Sequence, residues 1–441
     1  MCQLFAEHRW GRSLPRQTQK EKDKRKVGCY DDKWAIFDSY LETIYTLLDV
    51  RIRLNLRKGG IIMARGKRRT TKGNIPPREI RRWALLVYIA GDNNLTDAGL
   101  EDIQEMCDEG SSSDLHIGVE IDTYGEHTGS IRYEITEPDW TGTAHRKVIM
   151  RLPEKDSGDP ATLQSFVEWG LDRYEAENRL LVVWNHGAGF RSPRRDIGYD
   201  DFGSSLDMPE IERALQRAGI TNSNRLQIIG FDACLMNMVE IVHHFASQVE
   251  IIVGSQQTEP GDGWPYDKVL KQAKDAKTPD DLAKAIVKEY IADYKKIGVN
   301  NVTQSAVRTA DTQAVIDALD TLGNALLSRF NKIEAKLRAI RMASQTFQMA
   351  DYVDLIHVAE QIRRRIKDSV VADAAVSVIT SAEASIISNG KYGSTVSNAN
   401  GLSFWFPASE WDYFGNRAKY MELKCNSSHF GWRAFLDLYH Q

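Results

Sequence analysis

The chain reads Leu180-Leu181-Val182-Val183-Trp184-Asn185-His186-Gly187-Ala188-Gly189 near its middle, where an apolar run stops at small and polar residues. The same design recurs at Leu226-Gln227-Ile228-Ile229-Gly230-Phe231-Asp232-Ala233-Cys234. Short apolar runs rich in β-branched residues are typical of buried parallel strands. Because parallel α/β sheets place their chemistry beyond the carboxyl ends of the strands, the two stretches predict a site at one edge of a sheet.

A histidine follows the first run and a cysteine ends the second. A cysteine attacks as the thiolate, and a nearby imidazole promotes that form and handles the proton. We therefore expect His186 to be the general base and acid and Cys234 the nucleophile. The main-chain N–H groups of Gly187 and Cys234 are the candidates for an oxyanion hole. Alone, a strand-end cysteine is usually a small buried hydrophobe and a strand-end histidine a core residue, but the pair favours catalysis.

Four further stretches flank these two and carry a family resemblance. They are Val87–Leu95, Glu259–Tyr266, Tyr352–Leu355 and Gly401–Pro407. Together, and in this order from Trp83 to the C-terminus, the motifs resemble those of the clostripain family of cysteine peptidases, which is similar in fold to caspases, gingipains and legumain. By position, the resemblance implies that His186 and Cys234 form the catalytic dyad. It also implies a caspase-like three-layer sandwich.

The remaining pattern predicts an α/β fold with a mostly parallel central sheet, because strands alternate with helices. Strands are expected at 83–90, 115–121 and 251–254, hairpin material at 124–150, and helices at 160–174, 207–218 and 236–245. The pattern is helical from 278 to about 391, before a strand at 401–407 and a helix at 432–439 that return to the sheet. We predict a catalytic core at 83–270 and a helical C-terminal region at 271–441.

The first 82 residues read as a basic, disordered leader. Lys58-Gly59-Gly60 can be encoded by purine-rich codons that contain a bacterial ribosome-binding sequence, and Met63 follows two codons later. One interpretation is that translation begins at Met63 and that residues 1–62 are upstream sequence read in frame, which indicates a bacterial or archaeal origin. The alternative is a genuine N-terminal arm.

Composition narrows the function class. The chain has 441 residues, of which 42% are hydrophobic and 27% charged, as in an ordinary globular protein. A net charge of −4 gives no argument for nucleic acid or a membrane surface as a partner. The five cysteines are scattered, so neither a disulfide framework nor a metal site is expected.

No signal peptide or long apolar segment is visible, and we expect a cytoplasmic location. No cofactor is predicted; parts of the family depend on calcium, but the sequence shows no ligand set.

We expect acidic residues to determine which residue is accepted before the scissile bond. Asp232 stands two residues before the nucleophile, and a buried carboxylate requires a positive partner. The resemblance implies a preference for arginine or lysine before the scissile bond, with Asp232 and Asp262 as pocket acids. Asp262 has the alternative of being a turn residue in Gly-Asp-Gly. Trp264 is expected either to line the pocket or to belong to the core. The predicted partner is thus a peptide or protein with a basic residue before the cleaved bond.

The segment that follows the histidine loop is polar and contains Arg191, Arg194 and Arg195. An arginine-selective peptidase would cut such a segment, so these residues are candidates for self-cleavage. The alternative is a solvated basic loop.

Two other function classes stay open: a transpeptidase or ligase that uses the same dyad, and a binding protein without catalytic activity.

Overall fold

The computed structural model describes residues 80–124, 129–190, 197–426 and 430–441. Nearly all of the predicted leader, including Met63, lies outside these residues, so its interpretation stays a prediction. The described part of the chain contains eleven strands and twelve α-helices. None of these helices is both long enough and apolar enough to cross a membrane.

Nine strands form the central sheet, in the order β10-β8-β7-β6-β5-β1-β2-β3-β4. The five central strands, from β7 to β2, pair in parallel, and the outer pairs are antiparallel. The strands are β1 (Arg81–Gly91), β2 (Leu115–Thr123), β3 (Ile131–Ile135), β4 (Arg146–Arg151), β5 (Ala176–Trp184), β6 (Leu226–Asp232), β7 (Val249–Gly254), β8 (Val302–Arg308), β9 (Tyr352–Asp354), β10 (Ile386–Tyr392) and β11 (Ser403–Trp405).

Helices cover both faces of the sheet. They are α1 (Thr96–Glu109), α2 (Pro160–Arg173), α3 (Met208–Arg217), α4 (Val239–His244), α5 (Tyr266–Asp275), α6 (Pro279–Ile297), α7 (Thr312–Leu327), α8 (Phe330–Ala343), α9 (Leu355–Arg365), α10 (Ser369–Ser385), α11 (Glu410–Met421) and α12 (Gly431–Tyr439). Alternate residues of β1 enter opposite cores: Leu85 and Val87 pack with α1, α5 and α6, and Leu86 and Tyr88 pack with α2, α3 and α4. The predicted three-layer sandwich with a mostly parallel sheet is confirmed.

The C-terminal region differs from its sequence-based prediction. The interval 278–391, expected to be helical, contains β8, β9 and β10, and the strand near 401–407 is only β11. β11 pairs with β9 in a separate two-stranded sheet, whereas β8 and β10 extend the central sheet. Because β8 carries buried polar residues, among them Thr303 and Gln304, it lacks the apolar run by which a strand is recognised. Both predicted regions therefore contribute to one sheet.

Local signals set several element boundaries. Asp207 and Thr278 cap α3 and α6, each with the reciprocal capping-box contact that satisfies main-chain N–H groups at a helix start. β1 begins at Arg81, inside the predicted leader, because Arg81 N–H donates to Glu175 O at 3.1 Å beside β5. α4 begins at Val239 rather than at 236, since the chain first makes a turn after β6.

Candidate active site

His186 and Cys234 lie beyond the carboxyl ends of two neighbouring strands. β5 and β6 pair in parallel, with Trp184 opposite Asp232. Asn185 N–H continues the ladder to Asp232 O at 3.3 Å. His186 and Cys234 each follow their aligned residue by two positions, and adjacent strands lie about 4.8 Å apart. The two predicted catalytic residues are therefore brought to the same place on the sheet edge.

Cys234 is held in a tight turn. Leu235 adopts φ 66°, a left-handed conformation that is uncommon for a residue with a branched side chain. The turn is fixed by the loop after β7, because Leu235 N–H donates to Gln257 O at 3.1 Å. Cys234 is 6% exposed, and Glu259 N–H donates to Cys234 Sγ at 3.3 Å. A strained turn that presents one side chain is a feature of functional sites.

His186 contacts a residue that the sequence analysis did not assign. Its Nε2 lies 3.0 Å from Asn94 Oδ1, in the loop after β1. An amide oxygen only accepts, so Nε2 carries the hydrogen in this contact and Nδ1 is left to exchange a proton. The loop is anchored by Asn93, whose amide donates to Ala90 O at 3.0 Å and Tyr199 O at 2.8 Å. The feature of the sequence that could have indicated Asn94 is the pair of consecutive asparagines, Asn93 and Asn94, directly after a strand.

The C-terminal region supports the histidine loop. Tyr352 in β9 donates its hydroxyl hydrogen to Ala188 O at 2.6 Å. Gly189, at φ +70°, lies against the same ring, and a Cβ there would stand 2.5 Å from the Tyr352 hydroxyl oxygen. A side chain at position 189 would be strained by the left-handed backbone conformation and would clash with the Tyr352 ring. The loop therefore requires glycine at this position.

The two expected oxyanion donors are neighbours in space. A Cβ built on Gly187 would lie 2.3 Å from Cys234 O and 2.9 Å from Cys234 N, so the glycine packs directly on the main chain of the nucleophile. This closeness is compatible with a shared oxyanion hole, and the role itself stays a prediction.

Gly187→Ala is expected to lower both stability and activity. The added methyl group meets main chain that cannot swing away, and overpacking of this kind costs about 1–3 kcal/mol. A displacement of about 1 Å at the reacting groups can reduce the cleavage rate roughly 10²-fold. Thermal unfolding and amide cleavage are the measurements. Gly261→Ala is the matched control, because a Cβ there meets nothing within 4 Å; equal behaviour of the two variants would contradict the close packing.

Asp232 is buried below the nucleophile, 4% exposed. Its Oδ2 accepts from Trp264 N at 3.1 Å and from the Tyr266 hydroxyl at 2.9 Å. Its carboxyl group also interacts with that of Glu259. Burial raises the pKa of Asp232 to about 6. A third carboxyl, Asp102 in α1, accepts from Trp184 Nε1 at 2.7 Å, and burial followed by the charge of Asp232 raises its pKa well above the ordinary value.

This carboxyl cluster has no cationic partner among the residues that the structure describes. No described lysine, arginine or histidine forms an ion pair with Asp102, Asp232 or Glu259, and no cation contributes to their main electrostatic interactions. Burying carboxyl groups together is unfavourable unless they are protonated or neutralised. The cluster can therefore accept a positive group from a bound molecule.

Asp262 and Trp264 occupy different environments. Asp262 is exposed in a turn that Gly263 closes, with Gly263 N–H donating to Pro260 O at 3.1 Å. The charge of Asp262 nevertheless contributes to the raised pKa of Asp102, after burial and nearer carboxylates. Trp264 is 0% exposed and packs under β6, where a Cβ on Gly230 would stand 2.5 Å from the indole ring. The ring of Trp264 lies in the core, which is one of the two alternatives for this residue. Its main-chain N–H donates to Asp232.

Glu259 is the carboxylate that sequence reasoning missed. It stood within the Glu-Pro-Gly-Asp-Gly-Trp stretch, three residues before the chosen Asp262. Spacing along a loop does not reveal which of two acids turns inward. The arginines proposed for self-cleavage, Arg191, Arg194 and Arg195, lie outside the described residues.

A second acidic group lies at the ends of β1 and β2. Burial raises the pKa of Asp92 to about 6 and that of Asp122 to about 7. Asp200 accepts from Ser157 N at 2.8 Å and from Phe202 N at 2.9 Å, which ties two loops together. Within the described ranges, no group of three or more His, Cys, Asp or Glu side chains is arranged to hold a metal ion.

Several known proteins are similar to this chain. Clostripain of Hathewaya histolytica is 26% identical over 238 residues, which span 46% of this chain and only 44% of that relative. A secreted C11 cysteine protease from Bacteroides thetaiotaomicron, solved with an irreversible peptide inhibitor, has a TM-score of 0.62 and 19% identity, covering 81% of this chain and 99% of that one. An inactive zymogen C11 protease from Parabacteroides distasonis has a TM-score of 0.63 and 17% identity, covering 82% and 99%.

At these identities the solved structures show a shared fold and no more. The first of them is described as secreted, so it gives no support to the expected cytoplasmic location. The model of the clostripain family, in contrast, matches residues 87–437, which contain every motif quoted above. The resemblance is confirmed, and the chain belongs to the clostripain family.

Proposed function

We propose that this protein is a cysteine endopeptidase that uses His186 and Cys234 as its catalytic dyad. The observation that carries the proposal is the register of β5 and β6, which aligns Trp184 with Asp232 and sets the imidazole and the thiol beyond adjacent strand ends. Membership of the clostripain family, with residues 87–437 matched, supports the same activity.

The chemistry follows from the two groups. The Cys234 thiolate attacks the carbonyl carbon of the scissile peptide, and the developing oxyanion is stabilised by main-chain N–H groups, for which Gly187 and Cys234 are the candidates. His186 gives a proton to the leaving amine, which departs as the thioester forms. His186 then takes a proton from water, whose attack on the thioester releases the acid product and restores the thiolate beside the protonated imidazole. Asn94, bound to Nε2, would hold the imidazole in orientation.

We further propose cleavage after arginine, and also after lysine. The buried carboxyl cluster, without a cation among the described residues, supports this preference, since a guanidinium fits planar carboxylates with paired hydrogen bonds. Asp232 is the proposed principal acid of the pocket. The exposed Asp262 would contribute through its charge at longer range, and Trp264 through its N–H contact with Asp232.

A panel of fluorogenic amides that differ only at the residue before the scissile bond tests this function. Arginine, lysine, citrulline and norleucine are compared, because citrulline keeps the shape of arginine and removes its charge. Strong preference for arginine over citrulline is the expected result. Equal rates for the two would refute charge selection, and no cleavage of any amide by the folded chain would favour the binding-protein alternative.

The same panel separates hydrolysis from transpeptidation. The thioester is common to both reactions, so the outcome depends on whether water or an amine attacks it. Adding glycinamide to the arginyl substrate and analysing the products by mass spectrometry decides between them. A free acid as the main product supports the peptidase, whereas a glycinamide adduct as the main product supports the transpeptidase alternative.

We also propose that the enzyme cuts itself between His186 and Cys234, after Arg191, Arg194 or Arg195. The support is the arginine-rich sequence next to the histidine loop. Wild type is expected to give two fragments on a denaturing gel, with a new N-terminus at Ser192, Arg195 or Asp196 by sequencing. Cys234→Ala is the control and should stay intact. A single-chain wild type with full activity would end this proposal.

A further inference from the structure

The short strand β9 of the C-terminal region contacts the loops on which both members of the proposed dyad stand. Its residues Tyr352 and Asp354 are two positions apart, so their side chains share one face of the strand, about 6.8 Å from each other. Both residues are 0% exposed. β9 is anchored beside the nucleophile turn, because it pairs with β11 and Ser403 of β11 donates its N–H to Asn237 O at 3.1 Å.

Tyr352 holds the histidine side. Its hydroxyl donates to the main-chain oxygen of Ala188, two residues after His186, at 2.6 Å. Its ring packs on Gly189, where a Cβ would stand 2.5 Å from the hydroxyl oxygen, and on Phe190, with ring centroids 6.1 Å apart. One side chain therefore contacts three consecutive residues of the loop that carries the imidazole.

Asp354 holds the cysteine side through a buried set of hydrogen bonds. Its Oδ1 accepts from His357 N and from Asn400 Nδ2, both at 2.8 Å. Its Oδ2 accepts from Asn400 N at 2.6 Å and from Gln256 Nε2 at 3.1 Å. Because donors surround both oxygens, the carboxylate is fixed in orientation and binds the loop after β7 at Gln256.

Gln256 passes this constraint on to the nucleophile. Its Oε1 accepts from Gly401 N at 2.8 Å, so both polar ends of its amide are bound to the C-terminal region. The main-chain oxygen of the next residue accepts from Leu235 N at 3.1 Å, and Glu259 N–H donates to Cys234 Sγ at 3.3 Å. A donor at this distance stabilises negative charge on the sulfur, and the thiolate is the form that attacks. The position of the loop after β7 therefore affects the reactivity of the thiol.

We propose that Tyr352 and Asp354 are positioning residues of the dyad, and that β9 sets the distance and orientation of His186 relative to Cys234. The inference rests on the proposed peptidase function. It goes beyond that function by giving the C-terminal region a part in the reaction, and it assigns a role to the family motif Tyr352–Leu355. Neither side chain belongs to the dyad, so each acts through the loop that it binds.

Tyr352→Phe tests the histidine side with two leaving groups. The variant keeps the ring and removes the hydroxyl. In single-turnover acylation, an arginyl p-nitroanilide needs a proton from His186 for its leaving amine, whereas the leaving group of the arginyl p-nitrophenyl ester departs without one. We expect the anilide rate to fall about tenfold or more and the ester rate by less than about twofold. Tyr133→Phe is the matched control, at a buried tyrosine of β3, three places from β5 in the sheet, and should change neither rate.

Asp354→Asn tests the cysteine side through the thiol itself. Whichever way the asparagine rotates, its NH₂ group meets donors, so the loop after β7 should move away from the sulfur. Alkylation of Cys234 by iodoacetamide at neutral pH is followed by mass spectrometry of its peptide. We expect the rate to fall about tenfold or more, as for the loss of one hydrogen bond to a charged group.

The buried cysteines Cys107 and Cys425 report on folding in the same sample. They should stay unlabelled in Asp354→Asn, and their labelling would show that the variant unfolds. Gln256→Met then takes its place, because methionine keeps the length of the side chain and removes the contact with Asp354. The same slowing of alkylation at Cys234 is expected.

The outcomes separate the positioning role from the proposed function. If the folded wild type is acylated by neither substrate, the proposed function itself is wrong. If wild type reacts and Tyr352→Phe lowers both rates equally, or lowers neither, the positioning role of Tyr352 is refuted. If Cys234 is alkylated as fast in folded Asp354→Asn or Gln256→Met as in wild type, the role of Asp354 is refuted.

Discussion

Cys234→Ala and His186→Ala should each lower kcat/KM for an arginyl amide by about 10⁴-fold or more. The thiol supplies the electrons for the thioester, and the imidazole moves the protons, so neither can act without the other. The double variant should be little worse than either single one, since groups that act as a unit are not additive. The measurement is amide cleavage under single-turnover conditions, with thermal unfolding to show that each variant folds.

Two residues of the same types as the dyad, outside the proposed site, serve as controls. Cys107→Ala removes a buried cysteine in α1, where burial raises the pKa of the thiol and so disfavours its reactive form. His145→Ala removes a histidine whose side chain is 62% exposed and pairs with Asp139 on the surface. Both should cleave at close to the wild-type rate. Near wild-type cleavage by Cys234→Ala would instead remove the dyad from the mechanism.

Asp232→Asn should abolish most of the preference for arginine over norleucine. A guanidinium that has left water for a buried pocket without its carboxylate is uncompensated, which costs about 3–5 kcal/mol. That range corresponds to a loss of roughly 10²- to 4 × 10³-fold in the ratio of kcat/KM values. The asparagine keeps the shape of the side chain, and its oxygen can still accept from Trp264 N and the Tyr266 hydroxyl, so folding should be retained.

Asp262→Asn is the variant with which Asp232→Asn is compared. Because Asp262 is exposed, solvent screens its charge, and its removal should lower the arginine preference by much less than Asp232→Asn does. The ratio of arginyl to norleucyl cleavage is measured for both variants and the wild type. A larger loss in Asp262→Asn would exchange the roles of the two acids, and an unchanged ratio in Asp232→Asn would exclude it from the pocket.

The strands that carry the site could be predicted from sequence alone. β5 and β6 are continuous apolar runs that end in small and polar residues, and such runs are local signals that need no knowledge of the partner strand. Because neighbouring parallel strands end at the same edge of a sheet, these two runs alone predict that His186 lies near Cys234. The caps at Asp207 and Thr278 were equally local.

β8 and β10 could not be found in the same way. β8 is a seven-residue strand with buried Thr303, Gln304 and Ser305, and its polar side chains make contacts far along the chain, such as that of Thr303 with Ser255. Stability of such a strand comes from its neighbours in the sheet rather than from its own composition. The prediction of a helical region was therefore wrong at β8 and β10, where pairing with other strands of the sheet outweighs the local sequence pattern.

The sequence by itself determined the two strand ends, the positions of His186 and Cys234 beyond them and the presence of acids nearby. Only the tertiary structure decided which acids lie inside. Asp262 and Glu259 are three residues apart in one loop, yet the first is exposed while the second places a buried carboxyl oxygen beside Asp232. Asn94 and Tyr352 reach the histidine loop across 92 and 164 residues, respectively. Burial and contact of this kind depend on how distant segments pack, because a side chain's environment is formed by atoms that the local sequence does not contain.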